Sequence, residues 1–267
     1  MRSAFKLAAA AVGAVALLSL SAPAGAQQET TLQKILKEKK IRITGELTSP
    51  PFGILDKDGK PTGSEVETAR QLAKDLGVEL ELVQVPGPQR IPTLLSGRAD
   101  VAISSLSITL ARAQTVMFAS PHGALSVVIA GKKGVDIKSA ADLKGKRIGM
   151  TRATLEEQEV PKIAPPGTNI VFFDEHAATI QAMLSGQIDA AGMAAFAAQS
   201  VAERNPSAGI EVKFTVKTAY YAAAVRPGDH DLLRFINTWV FLRTQDGTLG
   251  QIYEQHTKVK LVPLPVF

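Results

Sequence analysis

Along this chain short apolar runs alternate with stretches of helical period, the pattern of a parallel α/β protein. "KIRITGEL" (40–47) reads as a strand, "SEVETARQLAKDLG" (64–77) as a helix closed by Gly77, and "VELELVQV" (78–85) as the next strand. "RIPTLLSG" (90–97) predicts a short helix ending at Gly97, and "ADVAI" (99–103) a buried strand. "LSVVIAGKKG" (125–134) is again strand-like, and "LKGKRIGM" (143–150) restarts the order of turn, strand and helix. A strand at 168–173, a helix at 177–186 and a pair of helices broken at Asp246-Gly247 follow. Two segments echo each other: "IPTLLSGRADVAI" (91–103) and "IQAMLSGQIDAAG" (180–192) share a Leu-Ser-Gly stop and an Asp before a small apolar strand. Gly97 and Gly186 would each end a helix in the left-handed conformation. One supersecondary unit present twice predicts two similar lobes, with a ligand held where their strand ends face each other.

The first 26 residues are of another kind. Arg2 and Lys6, the apolar "LAAAAVGAVALLSL" and the small-residue "SAPAGA" predict a secretory leader cut after Ala26, hence a soluble periplasmic protein. The apolar run is shorter than the ~20 residues a membrane span needs. Without Arg2 and Lys6 the formal charge falls from +5 to +3, too small and too dispersed for nucleic-acid binding; Lys37, Lys39 and Lys40 read as a solvated helix end. The chain has no cysteine, hence no disulfide and no thiolate metal site. His122, His176, His230 and His256 show no metal-ligand spacing, so neither metal nor cofactor is expected.

The segment "SSLSITLAR" (104–112) leaves a buried strand and concentrates hydrogen-bond donors at one corner. Thr109 is placed to cap a helix whose first turn holds Arg112. A cation is unfavourable at a helix N-terminus, which attracts anions. Its guanidinium suits a carboxylate, which it holds with two parallel hydrogen bonds, and Ser104, Ser105 and Ser107 can add hydroxyls. An ordinary capped helix with a surface arginine is the alternative.

From about 40 to 258 the chain resembles the family 3 extracytoplasmic solute-binding proteins of polar amino-acid ABC importers. The likeness rests on "PPFG" (50–53), "RIPTLLSGRADVAISSLSITLAR" (90–112), "FASP" (118–121), "DLKGKRIGM" (142–150), "LSGQIDAA" (184–191) and "DGTLGQIYEQH" (246–256). The resemblance implies a two-lobed type II periplasmic-binding fold, each lobe a mostly parallel sheet flanked by helices and joined by two hinge crossings. The lobes are expected at 27–128 with 225–267 and at 129–224. It implies that the lobes close on a small carboxylate, an amino acid or a related organic acid, that the monomer docks on an inner-membrane ABC permease, and that Arg112 pairs with the carboxylate beside Ser105 and Ser107.

The chain also departs from the family. Ala194 stands where an acid usually takes the ligand's ammonium, Ser49 and Gly87 where aromatics are usual, and Ala153-Thr154-Leu155 where a "GTT"-like turn donates from its backbone. An ammonium buried beside Ala194 without a counter-charge would be costly, which points to a ligand less cationic at that end. By the internal echo, Ser104 to Ser107 correspond to Met193 to Phe196, donors in one lobe facing an apolar wall in the other. Glu46 is the one acid placed in the cleft; His122 and His176 are weaker candidates. Two other functions share this fold: a cyclohexadienyl dehydratase-like enzyme, for which no general acid or nucleophile–base pair stands out, and a sensor that reports ligand to a membrane receptor.

Overall fold

The computed structural model describes residues 29–265; the leader expected at 1–26 lies outside them. No helix among the described residues is long and apolar enough to cross a membrane. Helix α1 (Thr31–Glu38) is followed by β1 (Lys40–Gly45), a small hairpin of β2 (Ile54–Leu55) and β3 (Pro61–Thr62), then α2 (Ser64–Leu76) and β4 (Glu79–Gln84). Next come α3 (Arg90–Leu95), β5 (Val101–Ala102), α4 (Leu110–Ala113) and β6 (Met117–Phe118). A second unit holds β7 (Gly123–Lys132), β8 (Arg147–Thr151), α5 (Leu155–Ile163), β9 (Asn169–Phe173), α6 (His176–Ser185), β10 (Ala190–Ala194), α7 (Ala195–Arg204) and β11 (Ile210–Tyr221). The chain then returns to the first through β12 (Ala224–Val225), α8 (His230–Gln245) and α9 (Thr248–Thr257).

The strands form two five-stranded sheets, ordered β4-β1-β5-β12-β6 and β11-β7-β10-β8-β9. The fold is the two-lobed α/β type II periplasmic-binding architecture, but its sheets are mixed rather than mostly parallel. Three strands run parallel in each, β4-β1-β5 and β10-β8-β9, and the remaining pairings are antiparallel. The antiparallel strands include those by which the chain changes lobe: it leaves along β7 and returns along β11, in opposite directions. The crossings expected at 128/129 and 224/225 fall inside β7 and β12; pairing begins in the second sheet at Gly123 and resumes in the first at Ala224.

The internal echo extends into three dimensions. Gly97 and Gly186 have φ of 74° and 81°, the left-handed conformation both helix stops require. Asp100 accepts from Arg42 N–H (2.9 Å), Nε (3.1 Å) and Nη2 (2.7 Å), tying the approach to β5 to its parallel neighbour β1. Asp189 repeats the clamp before β10, accepting from Arg147 N–H (2.8 Å), Nε (3.2 Å) and Nη2 (2.7 Å) of β8. The same acid thus pins the same pair of strands in each lobe. Above each clamp the chain runs into the cleft: into Ser104–Ser107 in one lobe and Met193–Phe196 in the other.

Each lobe has its own core. Ile41, Ile43, Leu72, Val101, Leu232 and Ile236 pack together in the first, and Val128, Ile129, Ile148, Met150 and Met183 in the second. Aromatic rings join them: Phe52, beside the first lobe's hairpin, meets Phe196 of α7 edge-on at 6.4 Å, and Phe196 meets Tyr253 of α9 at 5.8 Å. Phe196 therefore packs between lobes rather than within one.

Candidate functional site

The cleft is built around the corner at 104–112. Thr109 caps α4 as its sequence predicts, its hydroxyl accepting from Arg112 N–H at 3.3 Å. Arg112 is 7% exposed and its side chain turns inward, between the lobes. It donates from Nη1 to the Ser107 carbonyl (2.7 Å) and from Nη2 across the cleft to the Ala153 carbonyl (2.7 Å). Both partners are neutral oxygens, so the buried cation is solvated but not neutralised by them. Burial and the neighbouring Arg90 charge push its pKa down to about 10, which leaves it protonated at neutral pH.

A buried network fixes the serine corner from behind. Ser105 adopts φ 49°, a conformation uncommon for residues other than glycine, and its N–H donates to Glu65 Oε2 at 2.7 Å. Glu65, in the first turn of α2, also meets His122 Nε2 at 3.1 Å, and the His122 ring lies edge-on to Tyr221. His122 therefore supports the corner from the core side. The Ser107 carbonyl and backbone are held by Arg112 and by a bridge to Tyr221, and the Ser104 hydroxyl is buried with no hydrogen-bond partner among the described residues.

Arg90 is the residue that the sequence reading passed over. Fully buried at the start of α3, it donates to the carbonyls of Gly87 (2.9 Å), Ser104 (2.9 Å) and, across the cleft, Ala153 (3.0 Å). It also faces Glu46 at 3.5 Å. The reasoning that singles out Arg112, a cation in a helix's first turn, applies equally to Arg90 and would have found it. Gly87 lies directly against this pair: a Cβ there would make ordinary contacts, 3.4 Å from Glu46 Oε1 and 3.5 Å from Arg90 Nη2.

From the second lobe, His176 at the start of α6 reaches Glu46 Oε1 with Nδ1 at 2.8 Å. Burial favours the neutral form of Glu46, but the facing His176 and Arg90 charges outweigh it and pull its pKa to about 2. Burial likewise works against a charged His176, and the Glu46 charge and hydrogen bond outweigh it, holding the imidazole above its ordinary value. The histidine's contribution is full below pH ~6.5 and fades as pH rises through its folded pKa; that of Glu46 fades only as pH falls from ~4.5 toward 2. The melting temperature is expected to fall between pH 6 and pH 8.5 more steeply in the native protein than in His176→Gln. Parallel slopes in scanning calorimetry would contradict this coupling.

Ala153 is the second lobe's answering residue. It has φ 57°, and its carbonyl takes both Arg90 and Arg112 while its N–H donates to Glu157. The Thr154 hydroxyl donates to the Thr151 carbonyl (2.6 Å) and accepts from Glu157 N–H, so it serves as the cap of α5. Seven of the expected residues, Ser49, Ser105, Ser107, Arg112, Thr154, Leu155 and Ala194, line one interlobe cavity. Glu46 and Ser104 line an adjoining pocket that shares Ser49, Phe52 and Ser105 with it. The cavity wall adds Arg90, His176 and Glu156, three charged or titratable residues not among those nine.

Two lobes enclosing a buried arginine, serines and a restrained acid define a receptor for a small polar solute. Residues 41–259 match the bacterial extracellular solute-binding proteins, family 3, and the chain belongs to that family. The L-cystine-binding protein TcyJ of Escherichia coli (strain K12) is 31% identical over 246 residues, spanning 91% of this chain and 92% of that protein. An ancestral arginine-binding protein bound to glutamine superposes with a TM-score of 0.78 at 36% identity, covering 82% of this chain and 97% of the other. The ancestral amino acid-binding protein AncCDT-1, a precursor of cyclohexadienyl dehydratase, gives a TM-score of 0.80 at 30% identity, covering 85% and 100%. Binding a small solute is the function of this chain.

Proposed function

We propose that the protein captures a small carboxylate of the amino-acid class between its lobes in the periplasm and delivers it, as a monomer, to an ABC permease. One observation carries this reading: the buried Arg112 guanidinium is met only by backbone carbonyls, one of them from the opposite lobe. A ligand carboxylate can take the place of the Ala153 oxygen and form two charge-assisted bonds there. Ser49, Ser105 and Ser107 are the polar lining beside it, Leu155 and Ala194 the apolar lining, and Thr154 fixes the turn that closes over it. Glu46, already paired with His176 and Arg90, is suited to a polar group at the far end of the ligand.

The amino-acid class is favoured by relatives named for cystine, arginine and glutamine. Thermal-shift assays on unfolded and refolded protein, across amino acids and organic acids, test this: a ligand of the native state raises the melting temperature by mass action. A shift with at least one such carboxylate is expected, and none across the panel would contradict the proposal. Incubation with prephenate or arogenate should give no aromatic product; turnover would favour the dehydratase reading.

A further inference from the structure

Among the described residues one ion pair joins the two lobes: His176 at the start of α6 and Glu46 at the end of β1, 2.8 Å apart. Their side chains are 14% and 3% exposed, so water screens the pair little. The arginine bonds across the cleft, from Arg90 and Arg112, end on the neutral Ala153 carbonyl. Both arginines stay charged near neutral pH, and so does Glu46, whose pKa lies at about 2. Of these cleft-spanning contacts only the one made by His176 changes charge in that range. The pair can also part without unfolding. Each partner belongs to a lobe with its own core, and the chain crosses between the lobes along β7 and β11, where a hinge motion separates the cleft walls.

The charged groups facing the imidazole are Glu46 of β1, Glu156 of α5 and Arg90 of α3. Asp174 and Glu175, just before α6, are exposed, and Lys132 of β7 and Arg147 of β8 bind carbonyls at the helix's far end. Burial works against the imidazolium and Arg90 opposes it, but the two carboxylates outweigh both and raise its pKa. When the lobes part, His176 loses Glu46 and gains water, so it returns toward its ordinary value near 6.5. Closure therefore takes up a proton. Its gain is complete below about pH 6.5 and fades as pH rises through the raised value of the closed form. We propose that the Glu46–His176 pair is a proton-operated latch, which holds the lobes closed while the imidazole is charged and favours the open cleft and ligand release once it is neutral. This rests on the reading of the cleft as the capture site.

Small-angle X-ray scattering of refolded, ligand-stripped protein tests the latch without any ligand. The radius of gyration of the native protein is expected to grow from pH 6 to pH 8.5, and that of His176→Gln to stay constant. An unchanged native radius, or the same growth in His176→Gln, would overturn the proposal and leave the Arg112 reading intact. Calorimetry with L-glutamine, L-arginine and L-cystine as probes supplies the second readout. Native affinity for a probe that binds should fall about fivefold or more over the same interval, the lower end of ordinary coupling between two sites. His176→Gln should lose most of that fall, whereas titration of the probe itself is common to both proteins and cancels. An equal fall in both would overturn the latch. Should His176→Gln fail to refold by circular dichroism, Glu46→Gln decides, since it removes the facing charge and should abolish the same pH dependence. If no probe binds at either pH, the capture reading loses its support and scattering alone decides the latch.

Discussion

Arg112→Ala is expected to abolish carboxylate binding at ligand concentrations that saturate the native protein. Truncating one partner of a desolvated charge pair typically costs about 2–5 kcal/mol, ~30- to several-thousand-fold in affinity. Arg112 satisfies the conditions for the upper part of that range: it is buried, it lies between the lobes, and its Nη1 is already anchored by the Ser107 carbonyl, so little side-chain freedom remains to be lost. The substitution also removes one of the two arginine bonds to Ala153, a link that Arg90 retains, so the lobes keep a bridge. Arg112→Lys should recover only part of the loss, since an ammonium cannot reproduce two parallel bonds. Isothermal calorimetry reads the effect, with circular dichroism as the folding control. An unchanged affinity in Arg112→Ala would remove this residue from the site.

Asp100→Ala is expected to cost the largest share of folding stability among single substitutions at the repeated clamp, about 3 kcal/mol. Asp100 is 3% exposed and satisfies both the N–H and the guanidinium of Arg42. Its removal leaves a backbone donor of β1 unpaired inside the sheet and a cation partly buried, with Arg226 also losing an acid 3.9 Å away. The equivalent Asp189→Ala should cost less, because that clamp is open to water on both sides, with 44% of the Arg147 side chain exposed. Urea unfolding of the two variants checks the order. If Asp189→Ala were the more destabilising, burial would not be what separates the two copies of the motif.

Much of this architecture is legible in the residues, for reasons that remain local. A Leu-Ser-Gly stop specifies a left-handed helix end, and the Asp three residues after each Gly specifies a clamp on the adjacent parallel strand. Both signals recur because the lobes repeat, and both hold with the same partners. The corner at 104–112 is legible for a similar reason: a cation in a helix's first turn contradicts the local electrostatics and so points beyond them. Arg90, in the first turn of α3, carries the same local signal, whereas its bond to Ala153 across the cleft is set by packing between distant segments.

Glu156 could not be read this way. Acids in the first turn of a helix are what the macrodipole favours, and "LEEQ" looks like an ordinary solvated helix start. Its burial comes from the turn at Ala153 and from the close approach that Gly192 permits, both set by packing between elements far apart in sequence. The Glu46–His176 pair is hidden for the same reason, since 130 residues separate partners brought together only when the lobes meet. The mixed sheets are hidden because apolar alternation marks a strand without giving its direction. Direction here follows from which strands carry the chain between lobes.

Arg112 is proposed to grip a ligand carboxylate between the lobes. The most direct measurement is a crystal structure of the protein grown with the tightest-binding amino acid from the thermal-shift panel. The ligand carboxylate is expected within ~3 Å of both terminal nitrogens or of Nε and one terminal nitrogen of Arg112. A ligand bound elsewhere, or one in the cleft with Arg112 still donating only to Ser107 and Ala153, would show that Arg112 does not hold the carboxylate.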